Sequence, residues 1–259
     1  MLFSTMRRKL GVVFLTLSLS APCFGVAAQP SVDSLPGPVA AATAERLRAI
    51  VNRNTKGKVV IDAVYPSPVS GVFEAVSGDD VFYVDASGRY GFVDGRLVDL
   101  EQSFDVTSLR IDRINRIDFS KLPLELAIKE VRGNGSRKLA VFEDPLCPIC
   151  KSMTTFLGQI PDATLYRFPY PVIDPKASVA LARTAWCAPD RRAAWAGAMR
   201  GEKPQPAPAC DFSDLGRILK LGEALGVHET PTVFLGDGRR LKGAVPPEEF
   251  MKAVDASNR

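Results

Sequence analysis

Cys147 and Cys150 frame Pro148 and Ile149 in a CPIC motif that directly follows the hydrophobic run KLAVFE at 138–143. If a helix begins at this motif, the first cysteine stands at its mouth. There, free N–H groups and the positive end of the helix dipole stabilise a thiolate. The thiolate is the species that attacks a disulfide. A second cysteine three residues on lies one helical turn away and can resolve a mixed disulfide. Pro148 suits the first helical position, where its missing N–H has no helical partner. This spacing after a strand reads as a redox-active dithiol. The alternatives are a zinc knuckle or a structural disulfide. Zinc requires two more soft ligands nearby.

Cys187 and Cys210 enclose 22 residues, with neither a helix-mouth proline nor short spacing to make them reactive. Four cysteines allow three pairings; neighbours at CxxC spacing pair most easily, which leaves Cys187 with Cys210 as a structural bond. Closing a loop of that size contributes about 3 kcal/mol through the unfolded state. Thr230-Pro231 stands just before the apolar run TVFL at 232–235. A trans proline is poorly placed at the start of an inner strand. An ordinary turn proline is one reading. After CPIC and a βαβ pattern, the favoured reading is a cis bond that turns the Thr230 backbone toward Cys147, where an extended client could add as a strand.

The elements that must position these residues are legible in outline. Residues 1–28 read as a secretory signal peptide: Arg7, Arg8 and Lys9, an apolar stretch at 10–19, then small residues at 26–28. Ten helical residues reach about 15 Å, half of a hydrocarbon core. A membrane anchor, or acylation at Cys23 after Pro22, is the competing reading. Export removes Cys23 and leaves an even cysteine count in an oxidising compartment. The 259 residues are 46% hydrophobic and 24% charged, with a formal charge of +4. Without the three leader cations about +1 remains, so no strong nucleic-acid or membrane field is implied. A single histidine, His228, excludes a His-rich metal site.

A helix at 40–51 precedes five short β-rich runs between 58 and 100, punctuated by Gly78-Asp79, Ser87-Gly88 and Asp94-Gly95. They make a small α+β domain at 39–104, without cysteine, whose exposed edges favour self-association. The stretch 105–136 carries apolar residues at helical spacing and reads as a linker helix, with 133–136 (GNGS) as a flexible joint. The second domain, 137–257, alternates strands and helices: strands at 138–143 and 164–168, helices from the CPIC motif to about 159, at 177–199 and at 211–225, then a hairpin and a closing helix from 247.

FEDPLCPIC, the AWCAPDRRAAWAGAM to PAPAC segment, LGVHETPTVFLGDG and GAVPPEEF together resemble the DsbC/DsbG family of periplasmic disulfide isomerases. SPVSGVFEAV and DVFYVDASGRYGFVDGRLVDL are similar to the same family's first domain, so the resemblance spans about 40–256. It implies an α+β, cystatin-like dimerisation domain plus an α/β thioredoxin-fold domain with a helical insertion. It further implies a homodimer whose two thioredoxin-fold domains face a shared cleft for misfolded exported proteins. On matching motifs, Cys147 would be the nucleophile, Cys150 the resolving thiol, Thr230 and cis Pro231 the client-binding pair, and Cys187–Cys210 the structural disulfide. A DsbD-type membrane donor would keep the thiols reduced in the periplasm, and no cofactor or metal is implied. The sequence departs from the family in two places. Pro148-Ile149 replaces Gly-Tyr or Pro-Tyr, which leaves open isomerase, oxidase, or a DsbG-like chaperone and reductase of sulfenylated cysteines. Glu229 stands where glycine is common, and with His228 it is a candidate modulator of the Cys147 thiol; the alternative is that both side chains face solvent.

Overall fold

The computed structural model describes residues 35–202 and 205–258; the leader expected at 1–28 lies outside them. Helix α1 (Ala41–Asn54) presents Ala44, Leu47 and Val51 along one face. That stripe covers Ile61, Val64, Ala75 and Val84 of an antiparallel meander. The meander runs β1 (Ala63–Pro66), β2 (Val72–Ser77), β3 (Asp80–Asp85) and β4 (Gly91–Phe92), paired in that order. A two-stranded ribbon of β5 (Val98–Asp99) and β6 (Phe104–Asp105) leads into α2 (Val106–Ile114), which Asp105 caps through the Ser108 N–H. Arg110 of α2 is fully buried against Glu74 of β2, with its guanidinium over the Tyr65 ring.

The linker helix expected over 105–136 is helical only at α2. Beyond Asn115 come single 3-10 turns at Phe119–Lys121 and Leu124–Leu126, on either side of Pro123, and then strand β7 (Ile128–Val131). The apolar residues read as one helical face instead enter the second core: Phe119, Leu122, Leu126 and Ile128 are all buried there. The second domain therefore takes in β7 and these turns rather than beginning at 137. Nor is 133–136 a flexible joint. It is a turn gripped by Asp162, whose carboxylate accepts from Asn134 N–H and whose carbonyl accepts from Arg137 N–H. Gly133 sits at φ +53, and a Cβ there would collide with the Asp162 carboxylate.

The second sheet has strand order β11-β10-β8-β9-β7, built from β8 (Arg137–Glu143), β9 (Ala163–Pro169), β10 (Thr232–Leu235) and β11 (Arg240–Lys242) around the edge strand β7. β8 and β9 run parallel, joined through α3 (Pro148–Leu157); the other pairs are antiparallel. β8 is buried on both faces, which is why it reads as a continuous apolar run. Leu139 and Val141 meet α3 and α7 (Pro247–Ser257) through Leu157, Phe250 and Val254. Ala140 and Phe142 face the opposite core. That core is roofed by α4 (Ala177–Cys187), α5 (Arg191–Met199) and α6 (Ser213–Ala224), contributing Trp186, Trp195 and Ile218. The single helix expected at 177–199 divides at residues 188–190, where Pro189 interrupts it and Asp190 caps α5 through the Ala193 N–H. Among the described residues, no helix is long and apolar enough to cross a membrane.

Candidate active site

The CPIC motif lies where strand β8 hands over to helix α3. Cys147 is the N-cap residue and Pro148 opens the first turn. The Cys150 backbone N–H donates to Cys147 Sγ at 3.2 Å, one of the helix-mouth donors that would otherwise lack a partner. Cys147 is 3% exposed and Cys150 is fully buried, and both are free thiols. Burial pushes the Cys150 thiol well above its ordinary range, and the Cys147 thiol beside it acts in the same direction. The two sulfurs are therefore unequal. Cys147 receives a helix-mouth N–H, whereas Cys150 is held in its protonated form.

Across from Cys147 stands the 225–231 segment. The Thr230–Pro231 peptide is cis, and the Cys147 thiol donates to the Thr230 carbonyl at 3.2 Å. The Thr230 hydroxyl is buried with no hydrogen-bond partner. The segment is anchored along its length. Tyr170 OH donates to the Val227 carbonyl, Thr232 Oγ1 to the Glu229 carbonyl, and the Gly243 N–H to the Pro231 carbonyl. Gly222 of α6 lets the Tyr170 ring approach, since a Cβ there would fall 2.3 Å from a ring carbon.

His228 and Glu229 are not drawn to the sulfurs. Both are exposed and share a polar cleft with Asp79, Asp80 and Lys242. Neither makes a hydrogen bond to Cys147 or Cys150. Cys187 and Cys210 are joined by a disulfide at the end of α4, with S–S 2.01 Å and Cα atoms 5.5 Å apart. No group of three or more His, Cys, Asp or Glu side chains among the described residues is arranged to hold a metal.

Two carboxylates at this site have no counterpart in the sequence reading. Asp144, fully buried three residues before Cys147, accepts from the backbone N–H groups of Leu146, Val172 and Ile173 and from the Ser178 hydroxyl. Asp144 therefore ties the turn bearing the thiols to the 172–173 loop. Val172 and Ile173 are exposed there, as is Ile149 inside the motif. Glu143, also buried, accepts from Arg167 and from Trp195 Nε1, fixing α5 to the sheet. An acidic residue beside a proline in DPLC reads as an ordinary turn, and only the converging N–H groups reveal what Asp144 does.

Residues 124–258 match the family model described as thioredoxin-like domain, and 38–108 match that of the disulfide bond isomerase protein N-terminal domain. A Bordetella avium protein named "Probable thiol:disulfide interchange protein DsbC" is 38% identical over 194 residues, spanning 75% of this chain and 69% of its own length. The chain belongs to the DsbC family of thiol:disulfide interchange proteins. The Escherichia coli thiol:disulfide interchange protein DsbC is 25% identical over 203 residues, 74% of this chain and 80% of that one. Among solved structures, a disulfide interchange protein from Neisseria gonorrhoeae aligns with a TM-score of 0.49 at 35% identity, covering 53% of this chain and 99% of that one. As a DsbC-family member the chain is a thiol–disulfide oxidoreductase, with the family's N-terminal domain joined to a thioredoxin-like domain.

Proposed function

We propose that this protein isomerises wrong disulfides in exported proteins of the periplasm, with Cys147 as nucleophile and Cys150 as resolving thiol. The observation that carries the reading is the environment of Cys147 Sγ, which lies between the Cys150 N–H and the carbonyl preceding a cis proline. In the first step the Cys147 thiolate attacks one sulfur of a client disulfide. The client S–S bond breaks, a Cys147–client disulfide forms, and the other client sulfur leaves as a thiolate. A different client thiolate then attacks the mixed disulfide, forms a new client bond and returns Cys147 as a thiolate, so no net electrons move. The escape route is attack by Cys150 on Cys147 Sγ, which releases a reduced client and leaves a Cys147–Cys150 disulfide. Two electrons from a DsbD-type membrane donor restore the dithiol. Burial keeps Cys150 protonated and slows this escape, which gives the client time to rearrange.

Thr230 and Pro231 supply the surface against which an extended client segment lies, and Ile149, Val172 and Ile173 supply apolar contact around it. These exposed side chains also favour a second reading, a client-holding chaperone in which the thiols are secondary. The protein works as a homodimer through its N-terminal domain, where the short edge strand β4 leaves Tyr90, Phe92 and Val93 exposed. Refolding of scrambled ribonuclease tests the main reading. Wild type restores activity, Cys147→Ala does not, and sedimentation gives a dimer. A Cys147→Ala, Cys150→Ala protein that suppresses client aggregation as well as wild type, beside a wild type inert on the scrambled substrate, supports the chaperone reading instead.

A further inference from the structure

The turn between β2 and β3 carries Asp79, and this residue meets the thioredoxin-like sheet. Its carboxylate accepts from Arg240 Nη2 and Lys242 Nζ of β11, each at 3.0 Å, while its backbone carbonyl accepts from Asn115 Nδ2 at 3.0 Å. Asn115 Oδ1 in turn accepts from Arg240. Arg240, with only 4% of its side chain exposed, also donates through Nη1 to the Gly226 carbonyl at 2.6 Å. That carbonyl lies at the head of the 225–231 segment. Lys242 pairs in the sheet with Thr232, and the next residue, Gly243, donates to the Pro231 carbonyl. Arg240, which holds Asp79, thus grips the head of the segment that offers the Thr230 carbonyl to Cys147, and the backbone next to Lys242, the other cation on Asp79, closes its far end.

We propose that Asp79 is a positioning residue for thiol–disulfide exchange, acting through Arg240 and Lys242 on the segment that sets Thr230 against Cys147. The N-terminal domain would then tune the reacting sulfur as well as carry the second domain. The inference rests on the reading of Cys147 as the attacking thiol. Without the Asp79 carboxylate, the buried Arg240 loses its anionic partner and the 225–231 segment loses the tie that fixes its head. The Thr230 carbonyl then holds the Cys147 proton less firmly and presents a less ordered edge to a client.

The test compares full-length wild type, Asp79→Asn and Asp79→Glu. Three quantities are read: the rate of Cys147 alkylation by iodoacetamide at one fixed pH, KM and kcat for scrambled ribonuclease, and the thermal midpoint. Asp79→Asn is expected to raise the alkylation rate and KM by about threefold or more, within the range of coupling through a packed network, with a smaller change in kcat. Asp79→Glu restores both. An Asp79→Asn protein that melts earlier yet keeps the wild-type alkylation rate and KM would mean a clamp that only stabilises, and would overturn the inference; so would no change at all. Cys147→Ala in the same assay separates the two claims. If it retains isomerisation, the reading of the site itself falls; if it is inert while Asp79→Asn behaves as wild type, only the role of Asp79 falls.

Discussion

The Cys147 thiol donates its hydrogen bond to the carbonyl of Thr230, a residue 83 positions away along the chain. The contact joins the mouth of α3 to the strand that follows a cis peptide, and so brings the reacting sulfur and the client-binding backbone within one hydrogen bond of each other. Hydrogen bonds hold those two segments in place, to Asp144 in the first and from Tyr170, Gly243 and Arg240 to the second.

Asp144 satisfies three backbone N–H groups and one hydroxyl from a fully buried position. Replacing it with alanine leaves those donors without an acceptor. The expected cost is about 2–4 kcal/mol, since each buried unsatisfied group costs about 1–3 kcal/mol and water recovers part of the loss. Urea denaturation reads it directly, and a variant as stable as wild type would show that the carboxylate does not hold the turn.

The Cys187–Cys210 bond closes a loop remote from the reacting thiols in the sequence. A Cys187→Ser, Cys210→Ser protein should lose about 3 kcal/mol of stability through its looser unfolded state. It should keep isomerase activity at temperatures where it stays folded. Loss of activity in a folded double variant would bring this pair into the chemistry.

Asp79 gives a pH signature. Burial alone would raise its carboxyl, but the hydrogen bond from Lys242 and the charges of Arg240 and Lys242 outweigh that and hold it below its ordinary value of 3.8. A group depressed in the folded state contributes stability above its unfolded value, and that contribution disappears as the pH falls through the folded value. Asp79→Asn should therefore cost about 1 kcal/mol at pH 7, as a partly screened ion pair does. The gap to wild type should narrow as the pH falls below the ordinary carboxyl value of 3.8 and on through the lowered folded value. Denaturation midpoints across that range measure it; a gap independent of pH would place the loss elsewhere than in the charge.

What the sequence made legible was local. CPIC after an apolar run, two distant cysteines and TP before a strand are short patterns whose geometry follows from neighbours in the chain. The five β-rich runs of the first domain and βαβ in the second came through for the same reason. The 105–136 stretch misleads because Leu124, Ile128 and Val131 fit a helical face at i, i+4 and i+7, while Leu124, Leu126 and Ile128 equally fit a strand's period of two. Pairing of Ile128–Val131 with β9 decides the strand, and no local pattern reports that pairing. Asp144 and Asp79 escaped notice because their importance lies in partners 28 to 163 residues away.

The central claim is that Cys147 forms the bond to the client and buried Cys150 only resolves it. The most direct measurement is trapping with Cys150→Ala on scrambled ribonuclease, with the mixed disulfide mapped by peptide mass spectrometry. The account predicts an accumulating disulfide between client and Cys147, with isomerisation retained to a substantial extent, and none of either in Cys147→Ala. A mixed disulfide that forms on Cys150 when Cys147 is replaced, with isomerisation intact, would contradict it.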